Sequence, residues 1–489
     1  MEQSLASAVP DVHRPTVTPP HGSWAHGLPR LVGRRRRGGW PAAARSHGLP
    51  NTPAQPSRSD RDHPRLPQRP LAHHGSRTGR CRTRRSHRRR RPHPGGRHRP
   101  PGPAGAEIVD ATDRIILPGF VDTHRHMWQG VLRGIAPGHT FERYMENILG
   151  DFGPAMTPRD LYTGNLLSAR AALASGITTI QDISNIQDSP AHTDALVAAL
   201  QESGMRAVFA YGKSFPDILA HGTVLPDDTR RVRAELLADT GALVTMALVT
   251  EGGSDADERA NAALARELEV PVARHFSSRL SAAHLRDIDA LRPGTTFIHG
   301  NGLGAEELAV IADSGGSISI SPAIEMIMGH GYPMVAPALA RPNLPVSLSV
   351  DVEVTVAGDM FTQMRAAYQA GRHAQHADDS RTGVTVRDIL RMATLDGARS
   401  LALADRTGSL TPGKQADILV LRADRPDVTP VHDPYSTVVL QMDRSHIDTV
   451  MVAGHDHIRA GRAVADSSGL LRDAARTARR LGEANISAA

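Results

Sequence analysis

The stretch Leu117–Gln129 reads LPGFVDTHRHMWQ, and it places two histidines directly after a short apolar run. Because side chains alternate between the two faces of a strand, His124 and His126 share one face of a strand that ends here. Two imidazoles on one face, after a Pro-Gly turn and an aspartate, suit the binding of a metal ion. The rest of the chain would then have to supply the remaining ligands.

Apolar, β-branched runs recur along the chain, and helix-like segments such as AHTDALVAALQESG separate them. Such near-continuous runs are typical of parallel strands that are buried on both faces. The eight runs begin at Ile115, Gly176, Arg206, Ala242, Val270, Thr295, Ser317 and Val346. Eight strands that alternate with helices predict the α/β class and, within it, a (β/α)₈ barrel.

Polar side chains stand at the ends of several of these runs. His275 ends the fifth run, His299 ends the sixth, and Asp351 ends the eighth. The C-terminal ends of barrel strands meet at one mouth, so we expect these residues to lie close to His124 and His126. Imidazole nitrogens together with a carboxylate suit a divalent metal, and the sequence therefore predicts a metal site.

The first hundred residues differ in composition from the rest of the chain. They hold 22 arginines, four acidic residues and no Ile, Phe or Tyr, whereas the whole chain has a net charge of +6. The segment thus carries +18 and the remainder about −12, so the basic pI of 9.9 misrepresents the body of the protein. A segment this poor in apolar side chains cannot offset its ordering entropy, and we expect residues 1–105 to be disordered.

Three interpretations of this segment remain open. A basic arm could bind nucleic acid through phosphate contacts, and an Arg-rich, acid-poor leader could be an organellar transit peptide. The third interpretation, which we favour, is an out-of-frame or mis-started reading of GC-rich DNA. The chain contains only two lysines, Lys213 and Lys414, against 55 arginines, and ordinary sequence resumes near Ala106. Nucleic-acid binding is therefore a minority interpretation.

The single cysteine, Cys81, excludes an intrachain disulfide framework and favours a reducing compartment. No apolar run approaches the roughly 20 residues that a helix needs to cross a bilayer. We therefore expect a cytoplasmic protein with no membrane contact. The sequence does not fix the oligomeric state, and a homo-oligomer stays open.

Several motifs together resemble the amidohydrolase superfamily. They are LPGFVDTHRH, the single histidines after strands five and six, SVD at strand eight, and the stretches HGNGLGAEELAVIADSGGSISISP and TGSLTPGKQADILVL. The closer likeness is to the branch that contains cytosine, guanine and S-adenosylhomocysteine deaminases and chlorohydrolases. This resemblance covers roughly residues 115–462, and it is more specific for the superfamily than for a substrate.

The resemblance implies a small β-sandwich that is built from segments before and after the barrel. We expect a remnant of its N-terminal share at 106–117, the barrel at 118–403, C-terminal sandwich strands at 404–465 and a terminal helix at 466–489. If residues 1–105 are unstructured, the sandwich is incomplete on its N-terminal side.

By the same resemblance, His124, His126, His275 and Asp351 would bind one Zn²⁺ or Fe²⁺ ion, which activates a water molecule. Asp351 would accept the proton of that water as general base, and His299 would stabilise the charge of the tetrahedral intermediate. The implied reaction is the hydrolytic deamination of a small N-heterocycle.

The chain departs from this family pattern at one position. Many relatives carry a glutamate three residues after the strand-five histidine, as a proton shuttle to the ring, whereas HFSS places Ser278 there. Glu325, in SPAIEM after strand seven, is the best candidate for a replacement acid, or else it contacts the substrate. We expect His330 and Trp128 to lie at the mouth, where they and Ser278 are candidate substrate contacts.

This departure keeps alternatives open. Hydrolysis of a cyclic amide, or removal of another leaving group at the same site, would need no such glutamate. A catalytically silent binding protein with this fold is less favoured, because all five residues predicted for the metal site are present.

Overall fold

The computed structural model describes residues 106–276, 280–377 and 383–488. Ser278 and the segment 1–105 lie outside the described residues, and so do the predictions made for them. None of the described helices is both long and apolar enough to cross a membrane.

Eight parallel strands form a barrel in the order of the sequence, which confirms the (β/α)₈ prediction. The strands are β2 (Phe120–Arg125), β3 (Ile177–Gln187), β4 (Arg206–Lys213), β5 (Val244–Thr250), β6 (Val272–His275), β7 (Thr296–Ile298), β8 (Ser317–Ile320) and β9 (Val346–Leu348). Almost every strand residue is buried, as expected for strands covered on both faces.

Helices follow or connect these strands. The first ten are α1 (Phe141–Tyr144), α2 (Pro158–Leu173), α3 (Pro190–Ser203), α4 (Phe215–His221), α5 (Asp228–Arg231), α6 (Asp255–Glu267), α7 (Ala282–Asp287), α8 (Ala305–Asp313), α9 (Pro322–Ile327) and α10 (Val335–Leu339). The remaining five are α11 (Met360–Ala377), α12 (Val386–Met392), α13 (Leu395–Ser400), α14 (Pro434–Ser436) and α15 (Ser468–Ala488). Several begin at Ser or Thr caps, as Thr157 shows with its reciprocal bonds to Asp160.

A second, antiparallel sheet has five strands in the order β1, β10, β11, β12, β13. Its strands are β1 (Arg114–Pro118), β10 (Ile418–Arg422), β11 (Ile447–Val452), β12 (His455–Arg459) and β13 (Arg462–Ala463). The chain therefore leaves this sheet between β1 and β2 and returns to it after the barrel. The chain passes from one sheet to the other at Gly119. There is no room for a side chain at this position, because a Cβ atom would lie 2.1 Å from the Thr178 hydroxyl oxygen.

The barrel closes between β2 and the residues that follow β9. The Asp351 N–H group donates to the His124 carbonyl at 2.9 Å, and the His126 N–H group donates to the Asp351 carbonyl at 3.0 Å. One oxygen of the Asp122 side chain accepts a third bond, from the Val350 N–H group at 3.1 Å. The same few residues thus close the barrel and carry three of the predicted site side chains.

A buried ion-pair network supports this closure. Arg125 is fully buried and donates to Asp122 at 2.8 Å, and one of its nitrogens lies 3.4 Å from Glu353. Arg133 and the Ser168 hydroxyl also donate to Glu353. Burial raises the pKa of Asp122, although Arg125 opposes that shift. Two carboxylates and two guanidinium groups balance one another here, and all of them except the exposed Arg133 are buried.

Asp122→Asn should destabilise the fold by about 3–5 kcal/mol, because it leaves Arg125 buried beside one carboxylate instead of two. The free energy of unfolding from denaturant titration measures the effect. The matched control is Asp227→Asn, which breaks an ion pair with Arg230 in which the aspartate side chain is 96% exposed. That control should cost no more than about 1 kcal/mol, and equal losses in both variants would contradict the role of the network.

Candidate active site

Four histidines and one aspartate converge at the C-terminal end of the barrel. Two sets of side chains, which share His124, have ligand atoms within 4.8 Å of one another. The first set is His124, His126 and His275, and the second is His124, His299 and Asp351. The structure therefore brings together all five residues that the sequence predicted for the metal site and the catalytic base.

The Asp351 carboxylate lies between the histidine ligands and His299. Its Oδ1 atom is 3.4 Å from His124 Nε2 and 3.7 Å from His126 Nε2. Its Oδ2 atom is 3.6 Å from His299 Nε2. One oxygen thus faces the candidate metal ligands while the other faces His299. A proton on the Asp351 carboxylate would therefore lie close to the candidate ligands and to His299.

His299 and Asp351 both have left-handed backbone conformations, with φ of +70° and +69°. This region is unfavourable for residues with a Cβ atom, and its occurrence at two neighbouring site residues indicates strain that the surrounding hydrogen bonds hold in place. The His299 N–H group donates to the Ser319 carbonyl at 2.8 Å, while Asp351 is held by the barrel closure. Each side chain is consequently turned inward directly after a barrel strand.

Two polar residues that the sequence analysis missed orient the histidines. His126 Nδ1 lies 2.9 Å from the Ile183 carbonyl and 3.1 Å from Asn185 Oδ1, and His275 Nδ1 lies 2.9 Å from Glu251 Oε2. Acceptors at Nδ1 require the proton there, so both Nε2 atoms present lone pairs to the cluster. Asn185 lies near the end of β3, and Glu251 directly follows β5. Polar residues at the C-terminal ends of predicted barrel strands are therefore the sequence feature from which both could have been predicted.

Burial favours the neutral imidazole at two of the candidate ligands, His124 and His126. Burial, together with the neighbouring His275, lowers the pKa of His126 to about 3, and burial also lowers the pKa of His124 well below its usual value. Burial alone would lower the pKa of His275, but the Glu251 carboxylate raises it overall. Burial raises the pKa of Asp351 to about 6. Neutral imidazole is the form that binds a metal.

The donor set fits a single divalent ion. His124 Nε2 and His126 Nε2 approach to 3.2 Å. His124 Nδ1 is buried without a hydrogen-bond partner among the described residues. Three imidazoles and one carboxylate match the preferred ligands of Zn²⁺ and Fe²⁺.

Comparison with known proteins identifies the family. The model of the amidohydrolase family matches residues 115–456, which is more than half of the chain. The chain belongs to the amidohydrolase family. This membership confirms the resemblance seen in the sequence, and with it a hydrolase of non-peptide C–N bonds.

Individual relatives agree with this assignment. The chain is 28% identical, over 74% of its length and 86% of the relative's, to 5'-deoxyadenosine deaminase from Methanothermobacter thermautotrophicus. It is 26% identical to 5-methylthioadenosine/S-adenosylhomocysteine deaminase from Symbiobacterium thermophilum, over 70% of this chain and 81% of the relative.

Among solved structures, an adenosine deaminase from Xanthomonas campestris with bound zinc is similar. It superposes with a TM-score of 0.65 at 23% identity, over 76% of this chain and 87% of that chain. At 23% identity this structural similarity supports the fold alone.

Two predicted substrate residues of this amidohydrolase do not line the active-site cavity. Trp128 is fully buried, and its indole N–H donates to Asn185 Oδ1 at 3.3 Å, so it packs beneath the cluster. Glu325 is 1% exposed, and its oxygens bind His299 Nδ1, Asn301 Nδ2 and the Ser321 N–H group. Glu325 lies in the first turn of helix α9, and its carboxylate accepts from the N–H group of Ser321, directly before that helix, which explains why it lies behind His299.

His330 does line the cavity, as predicted. Its ring centroid is 4.7 Å from that of His299 and 5.0 Å from that of Phe141. Burial and the neighbouring His299 lower the pKa of His330 to about 4. This side chain therefore contributes a neutral ring to the wall of the cavity.

Metal content tests the cluster directly. Protein purified without chelator should contain about one zinc or iron ion per chain by elemental analysis. The double variant His124→Ala, His126→Ala should lose this ion, because it removes two of the imidazoles, while His373→Ala, at an exposed position on α11, should keep it. Well-folded protein that binds neither ion after their addition would contradict the site.

Proposed function

We propose that this amidohydrolase removes an amino group from a small N-heterocycle by hydrolysis. The observation that carries the proposal is the Asp351 carboxylate, whose two oxygens lie 3.4 Å from His124 Nε2 and 3.6 Å from His299 Nε2. The deaminase relatives support the same reaction. The site opens into a cavity of about 530 Å³, which is large enough for a substituted heterocycle.

The ligands His124, His126, His275 and Asp351 would hold a Zn²⁺ or Fe²⁺ ion. When bound, that ion lowers the pKa of a water molecule so that hydroxide is available near neutral pH. Burial favours neutral His126, and the Nδ1 partners of His126 and His275 hold a proton of each ring away from the cluster. Their orientation is therefore set before any substrate enters.

Asp351 would take a proton from the attacking water while the new C–O bond forms at the ring carbon. His299 Nδ1–H donates to Glu325, so His299 would donate a second hydrogen bond, from Nε2 to the developing charge of the tetrahedral intermediate, in the form that carries a proton on each ring nitrogen. The C–N bond then breaks, the proton held by Asp351 leaves with the amine as ammonia, and the second proton of the water passes from the new hydroxyl group to the adjacent ring nitrogen. The ring keeps a carbonyl group where the amino group was attached.

Glu325 would act through His299 in this scheme. Its carboxylate accepts from His299 Nδ1 at 3.2 Å, which leaves Nε2 directed at Asp351. Since Glu325 does not line the cavity, we assign it a positioning role, and the proton-shuttle role predicted for it is not proposed.

A second candidate reaction is the hydrolysis of a cyclic amide or of another leaving group. The substitution of serine at position 278 favours it, because neither reaction requires protonation of the ring by a glutamate at that position. Product analysis separates the candidates, since only deamination releases ammonia from an intact ring.

We also propose a cytoplasmic setting and a small-molecule substrate. The single cysteine supports the first statement, and the size of the cavity supports the second.

Ammonia release from purines, pyrimidines and triazines tests the reaction. Metal-loaded protein should release ammonia from at least one of these rings, and Asp351→Asn should reduce the rate by more than 100-fold because it removes the base. Ring opening, or loss of another group without ammonia, would favour the second candidate instead.

Glu325→Gln should lower kcat by about 10- to 100-fold and leave KM nearly unchanged, because the residue orients His299 without touching the substrate. Steady-state kinetics with the substrate found in the ammonia screen measures the split. The matched control is Glu306→Gln, an exposed residue of α8. A change confined to KM would contradict the positioning role.

A further inference from the structure

Tyr144 brings a hydroxyl group into the cavity of this amidohydrolase. It is the last residue of α1, and its side chain lines the cavity although only 5% of the residue is exposed. Its N–H group donates to the Thr140 carbonyl at 2.9 Å, which fixes the backbone from which the side chain projects. Burial and the Asp351 carboxylate raise the pKa of Tyr144, so the hydroxyl group keeps its proton and lies on the side of the histidine cluster.

Gln129 sets the direction of this hydroxyl group. It is fully buried in the short helical turn Met127–Leu132, which follows the His-x-His motif, and its N–H group donates to the His126 carbonyl at 3.2 Å. Its side-chain nitrogen Nε2 donates to the Tyr144 oxygen at 2.6 Å. Because the hydroxyl oxygen accepts this bond, the proton of the hydroxyl group points away from Gln129.

No residue that the structure describes accepts the proton of the Tyr144 hydroxyl group. Within the described part of the chain, the hydrogen bond of this group is the one that it accepts from Gln129. A buried O–H group without an acceptor is unfavourable compared with the same group in water, and an acceptor atom of a bound molecule removes that cost. The hydroxyl group is therefore a hydrogen-bond donor that the cavity offers to a ligand.

Two oxygens of the cavity lining cannot replace this donor. Glu251 Oε1 and Asn301 Oδ1 are buried without a hydrogen-bond partner among the described residues, and both are acceptors. An acceptor can bind only an N–H or O–H group of a ligand, whereas a ring nitrogen with a lone pair needs a donor. The Tyr144 hydroxyl group supplies such a donor, and Gln129 holds it in one direction.

We propose that Tyr144 is a specificity-determining residue, whose hydroxyl group donates a hydrogen bond to a ring nitrogen of the substrate. This inference rests on the proposed deamination, in which the ring carbon that bears the amino group faces the histidine cluster. A ring with a lone pair opposite Tyr144 pairs the hydroxyl group, whereas a ring with a C–H group at that place leaves it buried and unpaired. The substrate class is therefore an aminoheterocycle with an unprotonated ring nitrogen opposite Tyr144.

Rings that differ by a single nitrogen test the inference. The probes are 9-methyladenine with its 1-deaza, 3-deaza and 7-deaza analogues, and 1-methylcytosine with its 3-deaza analogue. Equilibrium titration of metal-loaded, full-length protein should show one parent ring bound at least tenfold tighter than one of its own analogues. In Tyr144→Phe this preference should fall below threefold, because the parent ring alone loses a hydrogen bond. For a ring that is turned over, kcat/KM replaces the dissociation constant.

The matched control is Tyr162→Phe. Tyr162 lies on α2, its hydroxyl group donates to Glu202, and it is not among the residues that line the cavity, so this variant should keep the preference. Thermal unfolding checks that both variants are folded. Equal weakening of a parent ring and all of its analogues in folded Tyr144→Phe would indicate a structural role and overturn the inference. A preference that Tyr144→Phe retains, or no tenfold preference in the unaltered protein, would overturn it as well.

A second variant tests the inference with the Tyr144 hydroxyl group still present. Gln129→Met removes the amide that orients the hydroxyl group and keeps the length of the side chain, so it should reduce the preference at least threefold. Gln441→Met makes the same change at an exposed position and should leave the preference unchanged. An undiminished preference in folded Gln129→Met would contradict the inference, and this result decides the question if Tyr144→Phe does not fold.

Ammonia is measured on the same samples, so that the two proposals fail separately. A preference that depends on Tyr144, without ammonia from any ring, would sustain the hydrogen bond and count against deamination. Ammonia release together with a preference that Tyr144→Phe leaves unchanged would sustain deamination and exclude the role of Tyr144.

Discussion

The pairing of β2 with the residues after β9 is the interaction on which the active site depends. Two backbone hydrogen bonds there join His124 and His126 to Asp351, residues that are more than 220 positions apart in the chain. Because the bonds are made by the ligand-bearing residues themselves, the geometry of the cluster is fixed by the closure of the barrel. A displacement of the last strand would move the carboxylate away from the imidazoles.

Buried charge surrounds this closure on the side away from the cavity. Asp122, Arg125, Glu353 and Arg133 form a balanced network directly behind the His-x-His motif. Such a network contributes little net stability compared with an apolar core of equal volume, but the loss of one member is costly. Its position suggests a reason for its presence: it fixes the strand end from which two candidate ligands project, with Arg125 lying between them in the sequence.

The cavity is lined by two kinds of structural element. The barrel strands supply the residues that act on the C–N bond, and the helical segments outside the barrel supply the surface that meets the rest of the substrate. The two parts can vary independently because they lie on different elements.

The sequence by itself determined the barrel and the five residues of the cluster. Strand burial leaves a local apolar pattern, and the ends of parallel strands meet at one mouth, so His124, His126, His275, His299 and Asp351 could be placed without coordinates. Only the tertiary structure decided that Asn185 and Glu251 orient the histidines, that Glu325 stands behind His299, and that Trp128 is buried. It also decided that Gln129 donates to the Tyr144 hydroxyl group. These outcomes depend on how helices and loops pack against the barrel, and that packing is set by contacts between residues far apart in the chain, which no local pattern records.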